Sequence, residues 1–340
     1  FACLSSPGMR AGEEAQMAIQ TTVVGSYPKP PDEGDPFVLR QTLHARERGE
    51  ADEGRVREAQ NELVREMIRE QEEAGVDVIT DGQARWDDIL TPFARKMAGF
   101  EIGGLLRWFD NNVYYRRPVC TGPVEWRGPI SVEDYRFAGS VASRPVKAVV
   151  PGPITFARSS VDDHYNDHEA FVLAIASVLA QECFELEAAG APEIQIDEPA
   201  LLDSPEDLAL AQRALGTMTA ELTSADTTLA TYFGDAKRLG MDLFDLPVQR
   251  WGLDLVSGPT NVELIDGAPS GTKVQAGVVD ARNTRLETED HLLRVIDELT
   301  SKVGSAELRV SPSAGLEYLP REKARAKLNR LCEAARKVGG

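Results

Sequence analysis

The sequence predicts an α/β fold: a parallel (β/α)8, or TIM, barrel with an inserted hairpin or lid after its second strand. Three observations carry this expectation. Eight short β-rich runs recur along the chain, each followed by a polar or Gly/Pro break and then a helical pattern. Several runs are almost continuously apolar, as strands buried on both faces are. No G-x-G-x-x-G follows the first run, which disfavours the other arrangement of such alternation, an open doubly wound sheet.

In chain order the runs are Thr21–Val24, Val76–Thr80, Val146–Val150, Glu193–Ile196, Thr228–Tyr232, Trp251–Val256, Lys273–Val279 and Glu307–Val310. Between them apolar residues repeat at helical spacing. Val56, Leu63 and Met67 share one face; Phe171, Ile175, Val178 and Leu179 share another. Leu292, Val295, Ile296 and Leu299 make a third, and Leu328, Leu331, Ala335 and Val338 the last. The stretch of about 99–141 carries Trp108, Tyr114, Tyr115, Trp126 and several Gly/Pro breaks, and does not fit a single crossover. It reads as an insertion over the barrel mouth. Residues 20–340 are expected to form one domain, and residues 1–19, without an apolar stretch of signal-peptide length, a disordered leader.

Of 340 residues 55 are acidic and 37 basic, a formal charge of −18. This balance argues against a nucleic-acid surface and against docking on anionic membranes. No apolar run reaches the roughly 18 residues of a spanning helix, and a cytoplasmic location is the default. The scattered cysteines Cys3, Cys120, Cys183 and Cys332 form neither a disulfide framework nor a zinc-ribbon spacing. Cys183 lies on an apolar helix face, as a small buried hydrophobe would. His164 and His168 sit four apart in a polar stretch, VDDHYNDH, which reads as loop or helix start rather than a metal site.

In such barrels ligands bind where the strands end. The eight runs are followed by Gly25-Ser26-Tyr27-Pro28, Asp81-Gly82-Gln83, Pro151-Gly152-Pro153, Asp197-Glu198-Pro199 and Tyr232-Phe233-Gly234, then Asp254, Asp280-Ala281-Arg282 and Ser311-Pro312-Ser313. Any one of these is ordinary turn and cap chemistry. Their convergence on one mouth points to a small-molecule pocket. The sharpest is Asp197-Glu198. A carboxylate there can hold a ligand ammonium as a charge-assisted pair, or cap a helix N-terminus.

These residues resemble the cobalamin-independent methionine synthase family. The resemblance rests on Val24-Gly25-Ser26-Tyr27-Pro28, Trp108-Phe109-Asp110-Asn111-Asn112, Gly152-Pro153-Ile154-Thr155-Phe156 and Ile194 to Leu201 (IQIDEPAL). Thr231-Tyr232-Phe233-Gly234 and Gly277-Val278-Val279-Asp280 complete it, so it spans nearly the whole chain from about residue 20. It implies methyl transfer from a folate-type, or corrinoid, donor to the zinc-bound thiolate of homocysteine or a related thiol. Zinc serves that chemistry by deprotonating the thiol at neutral pH. Full-length members resemble two tandem barrels, the C-terminal one carrying zinc and homocysteine, the N-terminal one helping to hold the folate.

The departures are as informative as the matches. Where the family's zinc site has a His-x-Cys pair, this chain has Tyr232-Phe233-Gly234; the glutamate ligand matches Asp254 and the last cysteine Ala314. Those residues do not make a tetrahedral zinc site, so zinc is expected of the family but not of this chain. The catalytic histidine matches Arg282, and a glutamate after the second strand matches Gln83. Asp197 matches the position that grips the homocysteine amino group. By resemblance the ligand-binding set is Gly25, Ser26, Gln83, Trp108, Asn112, Asp197, Glu198, Tyr232, Asp254, Asp280 and Arg282, with no tightly bound cofactor, a folate-type methyl donor as ligand and catalytic residues unassigned.

Three functions follow. The first is a methyltransferase barrel acting alone, in which Cys120 and Cys183 would have to replace the zinc ligands, though neither sits at an expected strand end. The second is a free-standing equivalent of the N-terminal barrel, holding the donor beside a separate zinc-bearing homologous barrel, with Arg116, Arg117 and Arg282 meeting the acidic folate tail. The third is a repurposed barrel whose acids, Asp197, Glu198, Asp254 and Asp280, bind an amine, act as general acid or take magnesium.

Overall fold

The structure, a computed structural model, describes residues 19–339. The expected leader lies outside the described residues, apart from Ile19. Among the described residues there are ten strands: β1 (Gln20–Thr21), β2 (Ala98–Arg107), β3 (Tyr114–Glu125), β4 (Ala148–Pro151), β5 (Val161–Asp162), β6 (Glu193–Asp197), β7 (Asp226–Thr231), β8 (Arg250–Asp254), β9 (Lys273–Val279) and β10 (Leu308–Pro312). Seven of them form one parallel sheet in the order β1-β10-β9-β8-β7-β6-β4.

The sheet closes into a ring through residues 76–80, the second of the eight runs. This segment bridges both edges, Thr22 to Val78 and Ile79 to Val146, each in parallel. Main-chain bonds hold it on both sides: the Asp77 and Val78 N–H groups donate to the Thr21 carbonyl, and Ile79 donates to the Pro145 carbonyl and accepts from the Lys147 N–H. Side chains complete it. Gln71 accepts from the Thr80 N–H and donates to the Thr80 carbonyl, both at 3.0 Å. Asp77 accepts from the Thr21 N–H at 2.9 Å. The segment is thereby satisfied, as buried backbone must be.

The helical faces pack as their spacing implies. Leu63, Met67, Phe171, Ile175, Leu179, Leu292, Ile296, Leu328 and Leu331 are all buried against the sheet, while Val295 and Val338 are partly so. Cys183 is fully buried in the helix His168–Ala188. Among the described residues no helix is long and apolar enough to cross a membrane.

The insertion is a long antiparallel hairpin, β2 with β3, joined in parallel by β5. It is followed by the helix Val132–Val141. Glu182 fastens its base: a fully buried carboxylate accepts from the N–H groups of Ile130 and Ser131 and from the Ser131 hydroxyl, each at 2.7 Å. The hairpin is thereby anchored at one end while its tip, Trp108 to Val113, lies over the C-terminal ends of the barrel strands.

Candidate functional site

Asp197 is the last residue of β6, in register with Pro151 of β4 and Ala230 of β7. The strand is buried throughout, so its final carboxylate projects at the barrel mouth from a dry wall. Oδ1 accepts from Gln195 Nε2 at 2.6 Å and Oδ2 from the Tyr232 hydroxyl at 3.0 Å. Burial pushes this carboxyl up to about 7, against the pull of those two hydrogen bonds and the Lys147 ammonium. Its charge is therefore poised to be fixed by whatever binds.

Two connected cavities open above it. The inner one, about 30 Å³, is lined by Ser26, Gln83, Trp108, Asp197 and Tyr232 and holds no more than two or so waters with the lid in place. The outer one, about 600 Å³, is lined by Asn112, Ser257, Asp280, Arg282 and Asn283. Val113, Glu317 and Tyr318 line both. Glu317 is part-buried and its pKa raised by desolvation, with the Lys29 charge opposing. The hydroxyls of Tyr232 and Tyr318 are held far above their ordinary pKa, first by burial and then by nearby carboxylates, so both stay protonated donors.

Of the residues singled out in the sequence, the structure thus gathers Ser26, Gln83, Trp108, Asp197 and Tyr232 at the inner cavity. Asn112, Asp280 and Arg282 lie at the outer one. Gly25 supports Gln83: a Cβ at 25 would stand 2.9 Å from the Gln83 amide nitrogen. Gln83 itself holds a left-handed backbone, φ 53°.

Glu198 and Asp254 do not join the pocket. Glu198 turns into the protein and accepts from the N–H of Ile154 at 3.0 Å and from that of Thr155, at the start of the helix Pro153–Arg158. Gly152 makes the space, since any Cβ there would collide with the Glu198 carboxylate. Glu198 is thus a cap on its neighbour's helix rather than a ligand group. Asp254 accepts from the N–H groups of Phe233 at 3.0 Å, Val256 at 2.9 Å and Ser257 at 2.8 Å, which consumes its carboxylate in shaping the rim. Arg116 and Arg117 line neither cavity. His164 and His168 diverge: His168 begins a helix and pairs with Asp207 at 3.0 Å.

Sequence reasoning missed Glu317, Tyr318 and Asp88, which also line the inner cavity. The eighth run's continuation, Ala314-Gly315-Leu316-Glu317-Tyr318, was the available signal.

The residues do not fit the family's zinc. Phe233 occupies the middle of the would-be ligand triplet with φ 73°, and its ring lies 5.5 Å from Phe109 of the lid and 5.8 Å from Tyr318. The Arg282 guanidinium covers it at 5.1 Å. Tyr232 is committed to Asp197, Asp254 to backbone, and Gly234 and Ala314 offer no donor. Among the described residues no three His, Cys, Asp or Glu side chains converge as a metal set.

Comparison with known proteins identifies the family. The family model "cobalamin-independent synthase, catalytic domain" matches residues 19–337. A methionine synthase of Sulfolobus acidocaldarius is 30% identical over 315 residues, 91% of this chain and 89% of that protein. One from Saccharolobus solfataricus is 30% identical over 322 residues, 94% of this chain and 95% of that protein. A B12-independent methionine synthase from Shewanella sp. W3-18-1, solved with selenomethionine, superposes with a TM-score of 0.79 at 24% identity, over 94% of this chain and 98% of that one.

Proposed function

The chain belongs to the cobalamin-independent methionine synthase family, and from that premise we propose that it holds the folate-type methyl donor for homocysteine methylation and works with a separate zinc-bearing homologous barrel. The observation that carries this is the aromatic filling of the family's metal position. Tyr232, Phe233, Trp108 and Tyr318 replace a thiolate-activating ion with ring surfaces, while Asp197 keeps a carboxylate at the floor. That combination suits a flat heterocycle bearing an amino group: the rings stack on its faces and the carboxylate accepts from its edge.

The division into two cavities supports the same reading. The pterin-like head enters the inner space when the lid tip lifts; the acidic tail lies in the outer cavity, where the Arg282 guanidinium offers a bidentate partner. The outer volume of about 600 Å³ suits a folate better than the far bulkier corrinoid. Tyr232 and Gln195 hold Asp197 in place, and Trp108 excludes water once the lid returns. The thiolate comes from the partner barrel, whose ion lowers the thiol pKa.

The test mixes this chain with a zinc-bearing homologous barrel and follows methyl transfer from 5-methyltetrahydrofolate to homocysteine. The mixture should turn over faster than the zinc barrel alone, and saturably with this chain. An unchanged rate, or L-homocysteine binding here with no affinity for the folate, overturns the reading.

A further inference from the structure

Lys147 lies inside the barrel just before β4, 1% exposed, and belongs to neither cavity wall beside Asp197. Its Nζ donates to Gln195 Oε1 at 2.6 Å and, more weakly, to Gln275 Oε1 at 3.4 Å. Gln195 Nε2 in turn donates to Asp197 Oδ1 at 2.6 Å and to the Val24 carbonyl at 2.5 Å. A line of hydrogen bonds thus runs from a buried ammonium through one amide to the pocket's carboxylate. The same amide holds the strand end that leads into Gly25 and Ser26.

The direction of this line is forced. Turned over, the Gln195 amide would set its oxygen against two acceptors, Val24 O and Asp197 Oδ1, and its NH2 against an ammonium that has only donors. We propose that Lys147 is a positioning residue for donor binding: it fixes the Gln195 amide so that Asp197 is oriented and kept available as an anion for the ligand.

This rests on the reading of Asp197 as the ligand's partner. The charged groups facing Lys147 from the packed strands are Glu193 and Asp197 on β6, Arg309 on β10 and Arg250 on β8. Glu193 is already paired with Arg309 at 2.5 Å and accepts from Thr228 at 2.9 Å. Facing Asp197 are Tyr232, Tyr318 and Glu198. Among the described residues the Lys147 ammonium is the cation that draws the Asp197 carboxyl down. Burial lowers its own pKa to about 7, and the Glu193 and Asp197 carboxylates oppose that fall.

The experiment compares wild type with Lys147→Met and Gln195→Leu, which cut the line at its start and in its middle. Carboxyl ¹³C NMR of the ligand-free protein should show the Asp197 midpoint raised by about one unit or more in either variant. Fluorescence titration with 5-methyltetrahydrofolate should show binding about ten-fold weaker, with the loss greatest near neutral pH. Lys147→Met combined with Asp197→Ala should bind no worse than Asp197→Ala alone. An unmoved Asp197 midpoint in both variants overturns the proposal. If Asp197→Ala binds the folate like wild type, the donor reading fails instead, and the Asp197 midpoint still decides the role of Lys147.

Discussion

Phe109 at the tip of the lid and Phe233 at the end of β7 both hold left-handed backbone, φ 48° and 73°, and place their rings 5.5 Å apart across the barrel mouth. Each non-glycine residue in that region costs about 1–3 kcal/mol, a strain that surrounding contacts must offset. Trp108 backs Phe109 at 4.8 Å, and Arg282 ties the same place together, reaching Asn111 of the lid at 3.5 Å and Ser257 at 2.9 Å. The lid is latched over residues 232–234, beside the floor of the inner cavity.

Removing one half of the latch should open the lid without unfolding the barrel. An aromatic pair contributes about 0.5–1.5 kcal/mol beyond burial. Phe109→Ala is therefore expected to speed amide exchange over residues 105–113 by about two- to ten-fold and leave exchange in β6 to β10 unchanged. Uniformly faster exchange would mean that Phe109 supports the fold, not the gate.

Glu198 should behave as a structural residue and Asp197 as a ligand residue. Glu198→Ala leaves the Ile154 and Thr155 N–H groups unsatisfied in a buried place, at about 1–3 kcal/mol each. Its urea midpoint should fall well below that of Asp197→Ala. Comparable midpoints would return Glu198 to the pocket.

The pH dependence of stability has a definite sign. In the folded chain burial holds the carboxyls of Asp197 and Glu198 up to about 7, while unfolded they release their protons near 4. The folded state thus binds more protons between those values, and their contribution to stability falls as pH rises from about 4 to 7. Asp197→Asn removes one such group. Its stability relative to wild type should rise over that window, by up to about 1.4 kcal/mol per pH unit for one proton. A flat difference between pH 4 and 8 would contradict the buried, poised carboxylate.

Metal content offers an independent check. Purified without added metal, the chain should carry far less than one zinc per molecule. Tyr232→His with Gly234→Cys should not restore a tight site, because Asp254 remains bound to three backbone N–H groups. Near-stoichiometric zinc in the wild type would refute the reassignment of residues 232–234.

The eight runs were legible because each pairs apolar residues with an abrupt polar or Gly/Pro end, and seven contain strands, six within a residue or two of the expected bounds and the first shortened to Gln20–Thr21. The second, 76–80, was legible as a wall of the barrel but not as a short bridge finished by a side chain, since nothing in its own residues announces Gln71 as the partner of Thr80. Asp197 and Glu198 look equivalent in sequence. Only the space left by Gly152 sends Glu198 to the neighbouring helix while Asp197 faces the mouth. Glu317 and Tyr318 escaped because they follow the strand end by several residues and return to the pocket through a short helical turn, Leu316–Tyr318. Lys147 sits inside the third run, Val146–Val150, but a single lysine in a strand is ordinarily solvated, and its burial depends on Gln195 and Gln275 from two other strands.

The account turns on a metal-free pocket that grips the donor through Asp197. Calorimetric titration of chelator-treated protein with 5-methyltetrahydrofolate tests this most directly. Wild type should bind with an affinity that added zinc does not change, and Asp197→Ala should bind about 10- to 100-fold more weakly. Binding that appears only with zinc, or that survives intact in Asp197→Ala, would contradict it.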